Sequence, residues 1–76
     1  MHVVIAKVNE VYFDGEALSL TAPGAEGELT VLPHHESLIT TLKAGTITVR
    51  TQNGSQTFEI TGGVLEVHPD GATVLL

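Results

Sequence analysis

The stretch TITVRTQNGSQTFEI, residues 46–60, decides the fold class of this 76-residue chain. Its first half alternates polar and apolar side chains, which places Ile47 and Val49 on one face of an extended strand. The second half repeats this alternation and directs Phe58 towards the same core. The Asn-Gly pair at 53–54 tolerates the positive φ angles that a two-residue hairpin turn requires. The stretch therefore predicts two antiparallel strands joined by a tight turn.

The composition extends this prediction to the whole chain. Val, Ile and Thr supply 23 of the 76 residues, and their β-branched side chains favour pleated strands over helices. We expect an all-β fold, a flattened β-sandwich or barrel of about 8–10 short antiparallel strands, in a single domain that spans residues 1–76. Residues 24–45 are less regular and are expected to form a loop-rich flap over one end. The predicted strands cover 3–8, 10–13, 17–22, 28–32, 46–52, 55–61, 64–68 and 72–76, with a further short strand within 36–42.

The charge distribution restricts the class of partner. The net charge is −6 at pH 7, and six acidic residues but neither Lys nor Arg lie from Glu10 to Glu36. Such a run argues against nucleic acid and against an anionic membrane surface as direct partners. A basic protein surface is the expected partner of this edge, and a solvated acidic face that serves solubility is the alternative.

Targeting signals and covalent cross-links are not expected in this sequence. The stretch MHVVIAKVNE, residues 1–10, lacks the basic segment and the long apolar run of a signal peptide. No run approaches the ~18 apolar residues that a membrane-spanning helix needs. Cysteine is absent, so disulfides and thiolate metal sites are excluded.

The histidines are the first candidates for a metal site. His34 and His35 are adjacent, and His2 and His68 are further candidate ligands. Adjacent side chains on an extended chain point to opposite sides, so this pair does not converge on one ion without a turn. The spacings typical of zinc sites do not occur. We therefore predict a structural or interface role for these histidines, and neither a metal nor a cofactor.

Candidate catalytic groups are equally sparse. The sequence lacks the G-x-S-x-G turn that exposes a nucleophilic serine. Glu26 and Glu28 are spaced to share one face of a strand, but the sequence indicates no pocket beside them. The serines considered as nucleophiles are Ser19, Ser37 and Ser55. We therefore predict that the chain is not an enzyme.

Lys43 suggests a different class of function. Lys43-Ala44-Gly45 is a near match to the lysine-bearing hairpin tip of the small all-β domains that carry biotin or lipoyl groups. It lacks the flanking acid or methionine of those domains, and residues 38–42 before it do not form a hairpin sequence. A biotinyl- or lipoyl-like carrier domain modified at Lys43 remains the alternative function.

The order of several short motifs resembles one known family. The motifs are EGEL at 26–29, LPHH at 32–35, LIT at 38–40, LKAG at 42–45 and GGVLEV at 62–67. Together they are similar to the epsilon subunit of F-type ATP synthases, which is called delta in mitochondria. That family reads E-G-E-L-G, then P-x-H-x-P-L, then K-P-G and G-G-x-x-E-V. The resemblance covers nearly the whole chain.

Three positions depart from the family pattern. Thr30 stands for the usual Gly after the E-L pair, while Ser37 and Ala44 each stand for Pro. We expect these changes to alter the stiffness of loops and to leave the sandwich intact. The family also continues into a C-terminal helical hairpin, which we expect these 76 residues to lack.

The resemblance implies a function and a set of interface residues. It implies a non-catalytic rotor subunit that joins the gamma subunit to the c-ring, in a complex with alpha and beta subunits. That complex is its only link to a membrane, at the cytoplasmic face of the bacterial inner membrane or the organellar equivalent. The implied interface residues are Glu26 and Glu28 on the c-ring side, and His35, Leu38 and Leu42 on the gamma side. For Leu38 and Leu42, the alternative is a role in the core.

Overall fold

Seven strands and no helix are formed by residues 1–34 and 36–76, which are the residues that the computed structural model describes. The described residues thus contain no helix of the length and apolarity that a membrane crossing requires. The all-β prediction is confirmed. The strands are β1 (His2–Lys7), β2 (Glu10–Glu16), β3 (Ser19–Gly24), β4 (Gly27–Val31), β5 (Leu38–Thr51), β6 (Gly54–His68) and β7 (Gly71–Leu75).

The expectation of 8–10 short strands is corrected by two long ones. The strands predicted at 36–42 and 46–52 are one strand, β5, of 14 residues. Those predicted at 55–61 and 64–68 are likewise one strand, β6, of 15 residues. The expected flap at 24–45 is also wrong, because β4 and the first half of β5 lie within it.

The long strands escaped prediction because each one changes its buried face midway. In β5 the buried position changes from Leu42 to Ile47, and in β6 it changes from Ile60 to Leu65. Each change runs from an even to an odd position, which turns the opposite face of the strand to the core. The pairing of β5 with β6 nevertheless keeps one register throughout. The hairpin predicted from residues 46–60 is therefore present, and it extends well beyond that stretch.

The change of face divides the sheet into two layers. The strand order is β2-β1-β7-β6-β5-β3-β4. Layer A consists of β2, β1, β7 and the ribbon formed by residues 62–68 and 38–43. Layer B consists of β4, β3 and the ribbon formed by residues 45–51 and 54–60. Side chains of both layers form one hydrophobic core, among them Val3, Ile5, Leu65 and Val74 from layer A and Leu20, Val31, Ile47 and Val49 from layer B.

One pairing in the sheet is parallel, which differs from the predicted antiparallel arrangement. β1 lies beside β7 in parallel, with Val3 opposite Ala72 and Ile5 opposite Val74. The other five pairings between described strands are antiparallel. Hairpin signals join only neighbouring segments, so they carry no information about how the first and last strands meet.

An aromatic pair bridges the two layers where their edges approach. The rings of Phe13 on β2 and Phe58 on β6 lie edge-to-face, with centroids 6.3 Å apart. Both side chains are half-buried and pack against the margin of the core. Phe58 therefore covers the margin of the core. The sequence had predicted Phe58 within the core itself.

Candidate functional site

The outer face of layer A carries a continuous row of apolar side chains. Residues that pair on neighbouring strands lie on the same face of the sheet. Successive pairs therefore form a line across the strands, and one such line crosses layer A from β5 to β2. Leu75 is 57% exposed in the middle of this line, and Ile39 is 71% exposed two residues from its β5 end. We call the four apolar members of this line the apolar row: Val64, Leu75, Ala6 and Val11, with Thr41 at the β5 end.

Further along the strands, the same face becomes acidic. Nε2 of His2 lies 2.6 Å from Oδ1 of Asp14, and Nδ1 of His2 lies 3.7 Å from Oε1 of Glu16. Glu66 lies on the same line across the sheet as Asp14, through β7 and β1. We call the three exposed acids Asp14, Glu16 and Glu66 the acidic end of this face.

The outer face of layer B has a different chemistry. One line across its four strands consists of threonines only, and we call it the threonine row. The hydroxyl oxygens of Thr21 and Thr30 lie 3.0 Å apart and share a hydrogen bond. On the next line, the hydroxyl of Thr46 donates to the carboxylate of Glu59. The members of the threonine row are Thr30, Thr21, Thr48 and Thr57.

The two glutamates predicted on the c-ring side lie in one hairpin. Glu26 is in the turn between β3 and β4, and Glu28 is the second residue of β4. Both are exposed, and β4 is an edge strand, at the opposite end of the sheet order from β2. The turn of this hairpin lies beside the β5 end of the apolar row, because the backbone N–H of Ala25 donates to the carbonyl oxygen of Thr41 over 2.9 Å. The hairpin therefore presents two carboxylates next to that end of the row.

The residues predicted on the gamma side occupy different environments. Leu42 is only 6% exposed and belongs to the core, while Leu38 is half-buried against it. Ile39, between them on β5, faces outward. Leu42 thus fits the core role that the sequence left open, and His35 lies outside the described residues.

The histidines were the candidates for a metal site, and Lys43 was the candidate for a carrier site. Within the described part of the chain, no group of three or more His, Cys, Asp or Glu side chains is arranged to hold a metal ion. His68 lies 3.5 Å from the hydroxyl of Thr73. Lys43 lies inside β5, paired with Gly62, and not at the hairpin tip that a carrier domain requires. The carrier alternative therefore loses its geometric basis.

The apolar row was missed by sequence reasoning, although a signal for it is present. Strands of layer A contain adjacent apolar residues, such as Val64-Leu65 and Val74-Leu75. Side chains alternate between faces, so adjacent apolar residues place one on each face of a strand. A strand that is apolar on both faces is typical of a layer that is covered on both sides.

Comparison with protein families gives a match over the whole chain. The model of the family described as "ATP synthase, Delta/Epsilon chain, beta-sandwich domain" matches residues 1–76. The ATP synthase epsilon chain of Delftia acidovorans is 41% identical over 76 residues, which are 99% of this chain and 55% of that protein. The epsilon chain of Bordetella avium is also 41% identical, over 99% of this chain and 54% of its own length. The chain thus spans about half the length of the curated relatives it matches.

Solved structures share the fold. A chain from the mitochondrial ATP synthase of Euglena gracilis superposes with a TM-score of 0.87 at 25% identity, over 96% of this chain and 48% of that one. A chain from the central stalk and c-ring structure of Tetrahymena thermophila ATP synthase gives a TM-score of 0.82 at 23% identity, over 99% and 61%. The second likeness shows the fold alone.

Proposed function

The chain belongs to the ATP synthase delta/epsilon family, as its β-sandwich domain, and from this premise we propose that it is a non-catalytic central-stalk subunit of an F1Fo ATP synthase. In this role it joins the gamma subunit to the c-ring, in a complex with alpha and beta subunits. It couples ion translocation to ATP synthesis or hydrolysis by turning with both neighbours.

The exposed apolar row is the observation that carries this proposal. Leu75 and Val11 expose more than half of their surface in the isolated chain. Contiguous apolar surface of this kind marks protein interaction sites. We assign the gamma subunit to the outer face of layer A, with Ile39 and the apolar row at the centre of the contact. His35 remains a proposed gamma contact, whereas Leu38 and Leu42 pack in or against the core behind this face.

The acidic hairpin supports the second contact. We assign Glu26 and Glu28 to the polar loops of the c-ring, which carry a basic residue in this family. Opposite charges at an interface fix orientation and speed association more than they raise affinity. The hairpin belongs to the edge of layer B and adjoins the β5 end of the face assigned to gamma, so the two proposed contacts are neighbours that use different residues.

The long strands suit the mechanical task of a rotor subunit. β5 and β6 run through both layers, and backbone hydrogen bonds join them along their whole paired length. Torque received on layer A therefore passes to layer B through continuous backbone and not through a flexible loop. We propose that the complex holds the chain peripherally at the cytoplasmic face of a bacterial inner membrane.

The gamma contact is tested by replacing Leu75 with Ser. We expect Leu75→Ser to lower the affinity for the gamma subunit of the same organism about tenfold, measured by calorimetry, because a central apolar contact contributes more than about 1 kcal/mol. Thr57→Ser on the outer face of layer B is the matched control and should bind like the unaltered chain. Equal affinities of Leu75→Ser and Thr57→Ser would reject the assignment of this face.

The c-ring contact is tested by reversing one charge. Glu28→Lys should weaken docking of the chain, bound to gamma, onto membranes that contain the c-ring, while circular dichroism shows an unchanged fold. Glu59→Lys changes the net charge equally on layer B and should dock normally. The assignment of Glu28 is wrong when both variants dock alike, or when Glu28→Lys alone unfolds the isolated chain.

A further inference from the structure

The outer face of layer A is chemically polarised along its strands. Lys43 follows Ile39 and Thr41 on the outward-facing side of β5, so it lies beyond the apolar row at one end of the face. Glu66 lies on the other side of that row, two residues after Val64 on β6. One face thus presents a cation, then the apolar row, then the line that holds Ile39, Glu66 and Asp14.

The spacing of these groups follows from strand geometry. Residues two apart on a strand are about 6.6–6.8 Å apart, and they point to the same side. Glu66 and Asp14 therefore lie about one such step from the apolar row, and Glu16 lies about two steps away. The acids form a border that adjoins the apolar row and includes the exposed Ile39, which pairs with Glu66.

Asp14 and Glu16 of this border contact groups at the N-terminus of the chain. His2 contacts Asp14 and Glu16, and the amino group of Met1 lies 3.3 Å from Oε2 of Glu16. Glu66 is exposed on the central part of the face, away from these groups in the strand order. The three exposed carboxylates make this side of the apolar row the acidic one, in a chain whose net charge is −6.

We propose that the partner surface on layer A is bipartite, with an apolar patch for the apolar row and Lys or Arg side chains for Glu66 and Asp14. This inference rests on the proposed function, since it takes the gamma subunit as the occupant. Lys43 lies on the opposite side of the row. If the partner docked after a rotation of 180° in the plane of the face, the partner's basic residues would face Lys43, and the repulsion disfavours that orientation. The polarity of the face fixes the orientation in which gamma docks.

The test uses two glutamates of one strand. Glu66 and Glu59 both lie on β6, exposed on the outer faces of layers A and B respectively. Glu66→Lys should slow association with the gamma subunit and lower its affinity roughly tenfold at about 0.05 M salt. Glu59→Lys carries the same change in net charge and should alter the affinity less than about twofold. Urea unfolding of both variants establishes that each is folded.

Salt dependence separates this inference from the proposed function. The loss in Glu66→Lys should shrink at about 0.5 M salt, where charges are screened within a few ångströms, whereas the loss in Leu75→Ser should persist. Equal losses in Glu66→Lys and Glu59→Lys, or a normal affinity of Glu66→Lys, would overturn the bipartite surface while the Leu75→Ser result keeps the gamma assignment. A chain that fails to bind gamma at any salt concentration would overturn both.

Discussion

The two outer faces of the sandwich are built from the same two long strands, yet their chemistry differs. On layer A, β5 and β6 present Ile39 and Val64 to the outside, beside Leu75. On layer B, the same strands present Thr48 and Thr57. Threonine has the β-branched shape that strands favour, and its hydroxyl keeps the face compatible with water. The aliphatic face lacks that compatibility, which supports the proposal that the gamma subunit covers it.

Residues that stabilise the fold and residues available to a partner lie on opposite faces of the same strands. Within layer A, Leu65 and Leu75 lie on opposite faces, one fully buried and one exposed. If the outer face serves docking, its side chains should contribute little to the stability of the isolated chain. Substitutions on the two faces and at their junctions test this division.

The largest effect is expected in the core of layer A. Leu65→Ala should lower the free energy of unfolding by about 2–5 kcal/mol, because it leaves a cavity among close-packed side chains. Leu75→Ala removes the same atoms from the outer face and should change it by about 0.5 kcal/mol or less. Urea unfolding followed by circular dichroism measures both. A similar loss in the two variants would contradict the division between inner and outer faces.

A substitution where β6 passes from one layer to the other should lower the free energy of unfolding nearly as much. At Gly63, φ is +153°, and a Cβ atom would lie 2.6 Å from the carbonyl oxygen of Leu75. Gly63→Ala should therefore cost about 3 kcal/mol or more, since backbone strain and a steric clash act together. Gly54 also has a positive φ, of +121°, but its added Cβ would meet nothing within 4 Å.

Gly54→Ala is thus the control that isolates backbone strain. Gly54→Ala should lower the free energy of unfolding by about 1–2 kcal/mol. Thermal unfolding should therefore occur at a clearly higher temperature in Gly54→Ala than in Gly63→Ala. If Gly54→Ala and Gly63→Ala are equally destabilised, then the close approach of β6 and β7 at Gly63 is unimportant, and the two layers tolerate a wider crossing.

A smaller effect is expected where the two layers meet at the aromatic pair. Phe58 is half-buried against Phe13, so Phe58→Ala should cost about 2 kcal/mol, less than the 3–5 kcal/mol of a fully buried aromatic. The variant should remain folded, with a lowered urea midpoint. Phe58→Leu should recover part of the loss, because it restores apolar contact without the ring. Complete unfolding of Phe58→Ala would place Phe58 in the core, as the sequence alone suggested.

The fold class followed from local patterns, and its long-range features did not. The alternation through Ile47 and Val49, with the Asn-Gly turn after them, correctly predicted the central hairpin and its buried face. The change of buried face near Gly45 and Gly62 broke that alternation and split each long strand in the prediction. The parallel pairing of β1 with β7 joins distant parts of the chain and leaves no local signal.

The candidate site was predictable in part for a similar reason. Glu26 and Glu28 followed from the family motif, and the structure has both exposed in one hairpin. Ile39 and Leu75 did not, because a strand that is apolar at both parities does not reveal which parity faces the core. Only the packing of the two layers decides that Leu38 faces inward and Ile39 outward.

The smallest effect is expected for substitutions in the threonine row. They test whether an aliphatic surface on layer B is enough to bind the partner proposed for layer A. Thr48→Val with Thr57→Val makes this row partly aliphatic without changing its shape. The free energy of unfolding should change by about 0.5 kcal/mol or less, because both positions lie on the outer face of layer B. The affinity for the gamma subunit should stay the same, since an aliphatic surface alone lacks the acidic border of layer A. A gain in gamma binding by this double variant would mean that apolar character, and not the particular face, selects the partner.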